Sequence, residues 1–249
     1  MNRNFFTTIA DAVRQSLTPC ILCYSPSRYG LCQSCLDDYL PVQTNRCCQC
    51  GNLLSHSGQL STLRCGDCLK NPPAYDATVI AADFVPPFDQ MVHMLKFQHL
   101  LAVAPIMGKL LYQAMVAHHI QPDLLVAVPL GPKRLIERGF NQSHEIARTL
   151  GKPLQCRPLR SLLYRTRETA RQSDIAMQVR QKNVHQAFAV SDHSRKLVQD
   201  RHIAVVDDVM TTGSTLDEIA QVLKQAGASR VTNLVFARTP KHLTGTAHV

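Results

Sequence analysis

The hydrophobic pattern predicts alternating strands and helices in the second part of the chain. Apolar runs rich in Ile, Val, Leu and Ala predict buried strands at 77–84, 124–128, 203–206 and 231–237. Apolar residues at helical spacing predict helices at 86–97 and 100–119, and a further one after 215 that ends near Gly227. This order predicts an α/β fold built on a doubly wound parallel sheet.

The strand at 203–206 leads into a polar sequence that no other predicted strand has. Asp207 and Asp208 follow the apolar run, and Thr211-Thr212-Gly213-Ser214-Thr215 precedes a helix. Open α/β sheets bind ligands at the carboxyl ends of their strands, and a helix N-terminus suits a phosphate group. Two carboxylates beside such a turn favour a sugar phosphate whose hydroxyls they bind. The alternative is an ordinary strand, turn and helix with a hydroxyl cap.

A second segment with anion-binding character follows the strand at 124–128. It begins with a short turn at Leu130, and its cations are Lys133, Arg134 and Arg138. Because this turn belongs to the same predicted sheet as the two acids, we expect the segment to bind pyrophosphate at the same edge. A solvated basic helix is the alternative.

The charge distribution supports a polyanionic ligand. The formal net charge is +9, of which residues 133–182 carry +8, while residues 1–132 sum to zero. Residues 164–188 are basic, rich in Thr and Gln, and without a strong apolar period, which is typical of a mobile segment that orders over a charged ligand. Its candidate contacts to ligand or DNA are Arg165, Arg167, Gln172 and Arg180. A disordered basic loop is the alternative.

Cysteine spacing gives the second strong signal. Four C-x-x-C pairs are present: Cys20/Cys23, Cys32/Cys35, Cys47/Cys50 and Cys65/Cys68. In a chain with no recognisable secretion signal, such pairs predict two structural four-thiolate zinc sites. The sequential assignment groups the first two pairs and the last two, and an interleaved assignment stays open.

The module boundaries follow from composition. Residues 2–17 have the spacing of an amphipathic helix, and Asn71-Pro72-Pro73-Ala74 is a candidate linker. We therefore expect a helix and double zinc-ribbon module at 1–73, a sugar-phosphate domain at 74–240 and a tail at 241–249. No apolar run approaches the roughly 18 residues of a membrane helix, and we expect a cytoplasmic protein, with peripheral association at the inner membrane left open.

Several motifs together resemble the ComF/GntX family of bacterial competence proteins. They are the paired zinc knuckles, Val128-Pro129-Leu130, Arg138-Gly139-Phe140-Asn141-Gln142, Thr166-Arg167-Glu168-Thr169 and Val206-Asp207-Asp208-Val209-Met210 with the turn that follows. The resemblance implies a type I phosphoribosyltransferase-like domain behind a double zinc ribbon. One departure is Gln98-His99 after Lys96-Phe97, where family members often have a glycine-containing turn, so a role for Lys96 is left open.

The resemblance also implies a ligand, 5-phosphoribosyl-1-pyrophosphate (PRPP), with Mg²⁺. Asp207 and Asp208 would bind the ribose hydroxyls, and residues 210–215 the 5-phosphate. Those residues are Met210, Thr211, Thr212, Gly213, Ser214 and Thr215. Leu130, Lys133, Arg134 and Arg138 would meet the pyrophosphate.

Two functions of different class follow. In the first, a PRPP-binding protein acts in DNA uptake, either in natural transformation or in the use of DNA as a nutrient, and handles single-stranded DNA with proteins of the uptake machinery. In the second, an active phosphoribosyltransferase transfers ribose 5-phosphate from PRPP to a base or amine in nucleotide salvage. No residue identifies an acceptor, so turnover stays open.

Overall fold

The computed structural model describes residues 18–28, 30–40, 45–54, 63–167 and 186–240. The chain divides into two compact units, Met1–Gln43 and Thr44–Val249. The second cysteine group therefore belongs to the same unit as the sheet. The predicted boundary at residue 73 stays a prediction, and the predicted helix at 2–17 and the tail at 241–249 lie outside the described residues.

The first unit is organised around its cysteines. Strands β1 (Thr18–Pro19) and β2 (Pro26–Ser27) pair antiparallel, and helix α1 (Gln33–Tyr39) follows. Its buried apolar side chains among the described residues are Cys20, Leu31 and Cys35. These three groups of the described residues give little hydrophobic stabilisation, and a bound metal would add to the folding free energy.

The second unit contains a parallel sheet of four strands. They are β3 (Ala77–Asp83), β4 (Leu124–Ala127), β7 (His202–Met210) and β8 (Arg230–Arg238), in the order β3-β8-β7-β4. All four predicted strands are confirmed. Strand β7 is longer than its apolar run, because Asp207 and Met210 pair with Val235 and Arg238 of β8. The two carboxylates therefore lie inside the strand.

Helices cover both faces of the sheet, which confirms the doubly wound fold. The described helices of this unit are α2 (Gly66–Lys70), α3 (Phe88–Phe97), α4 (Val103–Ala117), α5 (Pro132–Arg138), α6 (Gln142–Gly151), α7 (Arg195–Val198) and α8 (Ser214–Gln225). On one face, Ile203 and Val205 share a buried cluster with Leu216 and Ile219 of α8. Intervening residues of a strand point to the other face, which α4 and α6 cover while packing against each other.

A small hairpin frames the basic segment at 164–188. Strand β5 (Leu163–Arg165) pairs antiparallel with β6 (Phe188–Val190), and α8 packs against β6. The pattern did not predict these strands, because each has three residues and is too short for alternation to be recognised. Residues 168–185 lie outside the described part of the chain.

Asn141 attaches α6 to the end of β4, and its removal should destabilise the domain. Its side chain accepts from the amide of His144 at 3.2 Å and donates to the carbonyl of Val128 at 2.9 Å. Asn141→Ala loses both bonds, so we expect a loss of about 1–2 kcal/mol in the free energy of unfolding. Urea denaturation measures it, and Asn141→Asp, which keeps only the cap, should lose less. Equal losses in the two variants would contradict a contribution from the cap, and no loss in Asn141→Asp would contradict one from the Val128 bond.

Candidate functional site

The turn after β7 is shaped by one glycine. Strand β7 ends at Met210, α8 begins at Ser214, and Gly213 between them has φ +90°. A Cβ at Gly213 would lie 2.6 Å from Cε of Met210 and 3.0 Å from the hydroxyl of Tyr75. Glycine is therefore required both for its conformation and for the space.

The turn surrounds a small polar hollow at the N-terminus of α8. Its lining consists of Asp207, Val209, Met210, Thr211, Thr212, Gly213, Ser214, Thr215 and Leu216. The Thr212 and Ser214 hydroxyl oxygens lie 2.9 Å apart. Every residue predicted to bind the 5-phosphate thus lines one hollow, although the side chain of Met210 is itself buried. The positive end of the helix dipole favours an anion there.

The two acids are buried and each is bound by a different helix. Asp207 is 9% exposed, and its Oδ1 accepts from the Ser143 hydroxyl at 2.9 Å. Asp208 is 3% exposed, and its Oδ2 lies 2.6 Å from Nζ of Lys96. The Asp208 side chain also accepts at Oδ1 from the amide of Val209. Both carboxylates are therefore fixed in orientation by contacts from α6, α3 and the backbone.

Burial changes the acidity of this pair. It raises the pKa of Asp207 to about 7, and the negative charge of Asp208 adds to the increase. Lys96 and the hydrogen bond from Ser143 act in the opposite direction. Asp207 is thus near its titration point at neutral pH, and the ionised form is the one that accepts hydrogen bonds from ribose hydroxyls at both oxygens.

Lys96 is a site residue whose role the sequence left open. It occupies the last turn of α3, directly before the turn at Gln98-His99. His99 itself adopts the left-handed conformation, with φ +57°. The turn is therefore made without glycine, and Lys96 still reaches Asp208. The sequence signal was the basic side chain at a helix end, but its partner is 112 positions away in the sequence.

The predicted pyrophosphate segment lies at the same edge of the sheet. Strand β4 pairs with β7, and the amide of Val128 donates to the carbonyl of Val206 at 2.9 Å. Leu130 lies in the turn that follows, and α5 carries the three predicted cations. Nη2 of Arg134 is buried with no hydrogen-bond partner among the described residues. An anionic ligand would supply the acceptor that this donor lacks.

Two of the predicted cations, Arg138 and Lys133, lie in different environments. The Arg138 guanidinium donates to Oε1 of Gln142 at 2.7 Å and lies 5.8 Å from the centre of the Phe97 ring. Lys133 is exposed. The contact with Phe97 places Arg138 of α5 beside the end of α3 that carries Lys96, the partner of Asp208.

The basic segment is only partly described. Arg165 lies in β5 with its guanidinium 5.0 Å from the Phe188 ring, and Arg167 is exposed. At the other end, the amide of Gln186 donates to Oε1 of Glu218 in α8 at 2.5 Å. The segment therefore begins and ends next to the helix that carries the phosphate turn. Gln172 and Arg180 lie outside the described residues.

The cysteines form two separate groups. Cys20, Cys23, Cys32 and Cys35 form one, and Cys47, Cys50, Cys65 and Cys68 form the other, with the sulfur atoms of each group within 4.8 Å of one another. This is the sequential assignment, and it excludes the interleaved one. Among the described residues these are the groups of three or more metal-ligand side chains, and no histidine joins them.

Both groups have the geometry of a tetrahedral metal site. Zinc–sulfur bonds of about 2.3 Å require sulfur–sulfur distances of roughly 3.8 Å, and Sγ of Cys50 lies 3.6 Å from Sγ of Cys65. Hydrogen bonding from Cys50 and from backbone amides lowers the pKa of Cys47 to about 4. Hydrogen bonding with Cys47 and burial raise the pKa of Cys50, and burial raises the pKa of Cys68, so without metal the thiolate is favoured at Cys47. Four cysteine sulfurs in each group fit zinc with no open coordination position.

A parallel sheet whose edge joins two buried acids, a hydroxyl-rich turn and a helix N-terminus defines a domain of the phosphoribosyltransferase type. The family model described as "Phosphoribosyl transferase domain" matches residues 136–244. Among described residues, no helix is long and apolar enough to cross a membrane.

Similar proteins extend over nearly the whole chain. "DNA utilization protein YhgH" of Escherichia coli (strain K12) is 37% identical over 228 residues, which are 88% of this chain and 96% of that protein. "Competence protein F" of Haemophilus influenzae is 30% identical over 210 residues, 82% of this chain and 89% of that protein. A solved structure titled "Structure of the allosteric regulatory enzyme of purine biosynthesis" is similar over 53% of this chain and 26% of its own, at 18% identity and a TM-score of 0.36. The chain belongs to the ComF family, as the motifs predicted.

The buried acid should make thermal stability depend on pH. Because the pKa of folded Asp207 is raised from 3.8 to about 7, its contribution to stability is lost progressively as the pH rises from 3.8 to about 7. Asp207→Asn removes this loss, so its unfolding midpoint should exceed that of the wild type at pH 8, and by clearly less at pH 5. The gain should be roughly 2–4 °C for each kcal/mol relieved, measured by calorimetry at both pH values.

Asp208→Asn is the matched control for this prediction. It removes one of the two charges but leaves Lys96 without its partner at 2.6 Å, so its gain at pH 8 should be smaller. A gain for Asp207→Asn that is equal at pH 5 and pH 8 would contradict the assigned pKa.

Proposed function

We propose that the protein binds PRPP and acts in the uptake or use of DNA. The observation that carries the proposal is the buried Asp207 and Asp208 pair followed directly by the hydroxyl-rich turn at the start of α8. Family membership supports the biological setting, since the relatives are named for DNA utilization and competence. The same proposal places the protein in the cytoplasm, on the inner side of the membrane through which DNA enters.

Each part of PRPP has a chemical counterpart at the site. Asp207 and Asp208 accept hydrogen bonds from the ribose hydroxyls, and residues 210–215 bind the 5-phosphate at the N-terminus of α8. Leu130, Lys133, Arg134 and Arg138 border the pyrophosphate, where the orphaned Nη2 of Arg134 gains an anionic partner. Mg²⁺ would arrive with the pyrophosphate, because its preferred ligands are phosphate oxygens and water.

Before PRPP binds, Asp208 is paired with the ammonium group of Lys96 in place of the ribose hydroxyls. The ammonium group at 2.6 Å neutralises Asp208, which lowers the electrostatic cost of two adjacent buried acids. When a ribose diol donates hydrogen bonds to the two acids, the ion pair with Lys96 is no longer the main interaction that offsets the cost of burying them. Lys96 is then available to a second anion, so it adds to the positive potential over the pyrophosphate.

Single-stranded DNA is the second ligand of the proposal. Residues 133–182 hold a net charge of +8, and the segment framed by β5 and β6 begins and ends beside α8. Arg165, Arg167, Gln172 and Arg180 are the proposed contacts, and the aromatic side chains of the region offer stacking. When zinc is bound by the thiolates, the region that contains the two cysteine groups is mildly acidic. Such a region suits contacts with proteins of the uptake machinery better than contacts with DNA.

Binding of PRPP is tested with zinc-loaded protein and Mg²⁺ by titration calorimetry. The double variant Asp207→Asn/Asp208→Asn loses charged hydrogen bonds worth about 1.5–3 kcal/mol each, so its affinity for PRPP should fall by at least about tenfold. Asp192→Asn is the control, because Asp192 has a side chain 92% exposed and a single ion pair on the surface. Absence of binding by the wild type would refute the proposal.

The same samples separate binding from catalysis. Pyrophosphate release is followed with and without single-stranded DNA. Release that depends on both acids would favour the alternative, an active phosphoribosyltransferase of nucleotide salvage, whereas binding without release supports a ligand-binding role.

DNA binding should be mainly electrostatic. With about six phosphate contacts, the log–log dependence of affinity on salt should have a slope of about −4, and Arg167→Gln should make it shallower by about 0.7. Arg64→Gln is the control, because Arg64 is exposed but lies next to the second cysteine group. A slope near zero, or equal changes in both variants, would contradict the assignment of the basic segment.

A further inference from the structure

The second cysteine group is bound to the edge of the sheet. The carbonyls of Cys48 and Gln49 accept from the amide and the hydroxyl of Thr78 in β3, at 3.1 and 2.6 Å. Gly51 has φ +72°, and a Cβ there would lie 2.5 Å from Cγ1 of Ile80. The loop that carries two of the four thiols thus packs in direct contact with β3.

One arginine connects this loop with the phosphate-binding turn. Arg238 ends β8 and is 3% exposed. Its Nε donates to the carbonyl of Cys50 at 3.2 Å, and its Nη1 donates to the carbonyl of Met210 at 3.0 Å and to that of Thr211. The rigid guanidinium therefore fixes the position of the cysteine loop relative to the first residues of the turn.

A metal at this group would also balance the charge of Arg238. Four thiolates and one Zn²⁺ carry a formal charge of −2, and Cys50 contributes both a thiol to the group and a carbonyl to the guanidinium. A buried cation needs such compensation, because its desolvation costs several kcal/mol. Asp83, the register partner of Arg238 on β3, is already in an ion pair with Arg46, so a metal–thiolate complex would add to the negative charge near Arg238.

The segment that follows the second cysteine group also contacts the turn and its helix. After α2, which carries Cys68, the amide of Ala74 donates to Oδ1 of Asp217 in the first turn of α8 at 2.6 Å. The hydroxyl of Tyr75 lies against Gly213, and the carbonyl of Tyr75 accepts from Gln49 at 3.2 Å. The metal would thus join two chain segments that both contact the turn or its helix.

We propose that metal binding at Cys47, Cys50, Cys65 and Cys68 sets the geometry of the turn at residues 210–215, with Arg238 as the positioning residue. We assign this effect to the second group alone, because the observed connections to the turn start from its loop and from the segment after it. The consequence for PRPP affinity rests on the proposed function, whereas the consequence for the order of the turn does not.

The matched variants are Cys65→Ser and Cys32→Ser in the full chain. Cys65 and Cys32 are half-buried members of their groups, and each variant should lose one of two zinc ions, as counted by metal analysis. Amide hydrogen exchange at residues 209–216 should become about tenfold faster in Cys65→Ser and stay at the wild-type rate in Cys32→Ser. Equal rates in the two variants would overturn the proposal.

Arg238→Lys tests the connection with both zinc ions in place. Lysine keeps the charge but cannot donate in a planar fork to the carbonyls of Cys50 and Met210 together. We expect two zinc ions per chain, faster exchange at residues 209–216 and PRPP affinity about tenfold weaker, whereas Arg230→Lys, at an exposed position of the same strand, should behave as wild type. This variant also decides the matter if Cys65→Ser fails to fold.

The readouts keep two kinds of failure apart. If the wild type does not bind PRPP but exchange in the turn responds to Cys65→Ser and Arg238→Lys, the proposed ligand is wrong and the connection stands. If the wild type binds PRPP and Arg238→Lys changes neither affinity nor exchange, the connection is wrong and the proposed function stands.

Discussion

The second unit has to accommodate the burial of two adjacent carboxylates within β7. Two acids in neighbouring positions repel each other, and removal from water increases the cost of the charged form. The protein meets this cost with contacts from separate elements: Ser143 donates to Asp207, and Lys96 pairs with Asp208. The remaining strain is visible in the raised pKa of Asp207. Buried carboxylates that are costly to keep ionised are suited to a ligand that donates hydrogen bonds to them, because these bonds offset the electrostatic cost.

The phosphate turn beside the acids is constrained from two sides. From the sheet, Arg238 binds the carbonyls of Met210 and Thr211. From the segment at 73–76, Tyr75 packs beneath Gly213, and Asp217 binds the amide of Ala74. A turn that binds a phosphate through backbone and hydroxyl groups must be ordered before the ligand arrives, since ordering it on binding would reduce affinity. The contacts that order it come from the segments that surround the second cysteine group.

Local patterns were sufficient to predict the sheet, the turn and the cysteine groups. Each of these is encoded within about ten residues, as in the apolar run Ile203 to Val206 followed by Asp207 and Asp208. Contacts between distant positions were beyond such patterns. Ser143 and Asp207 are 64 positions apart, and Cys50 and Arg238 are 188 apart. The extension of β7 through the two acids was missed for the same reason, because it depends on pairing with β8 and not on the strand propensity of Asp.

The two cysteine groups have the same sequence motif, but they lie in different units, so metal binding at each should have a different effect. The first group lies in a unit whose described residues include few other buried side chains, so metal there would mainly stabilise that unit. The second group lies within the unit that contains the sheet, where its loop is bound to Thr78 and Arg238. Arg238 is buried and always charged, so a negative thiolate complex beside it would add to the stabilisation that the carbonyls give. Because the same guanidinium orders the phosphate turn, loss of metal at the second group should weaken the ligand site while the sheet stays folded.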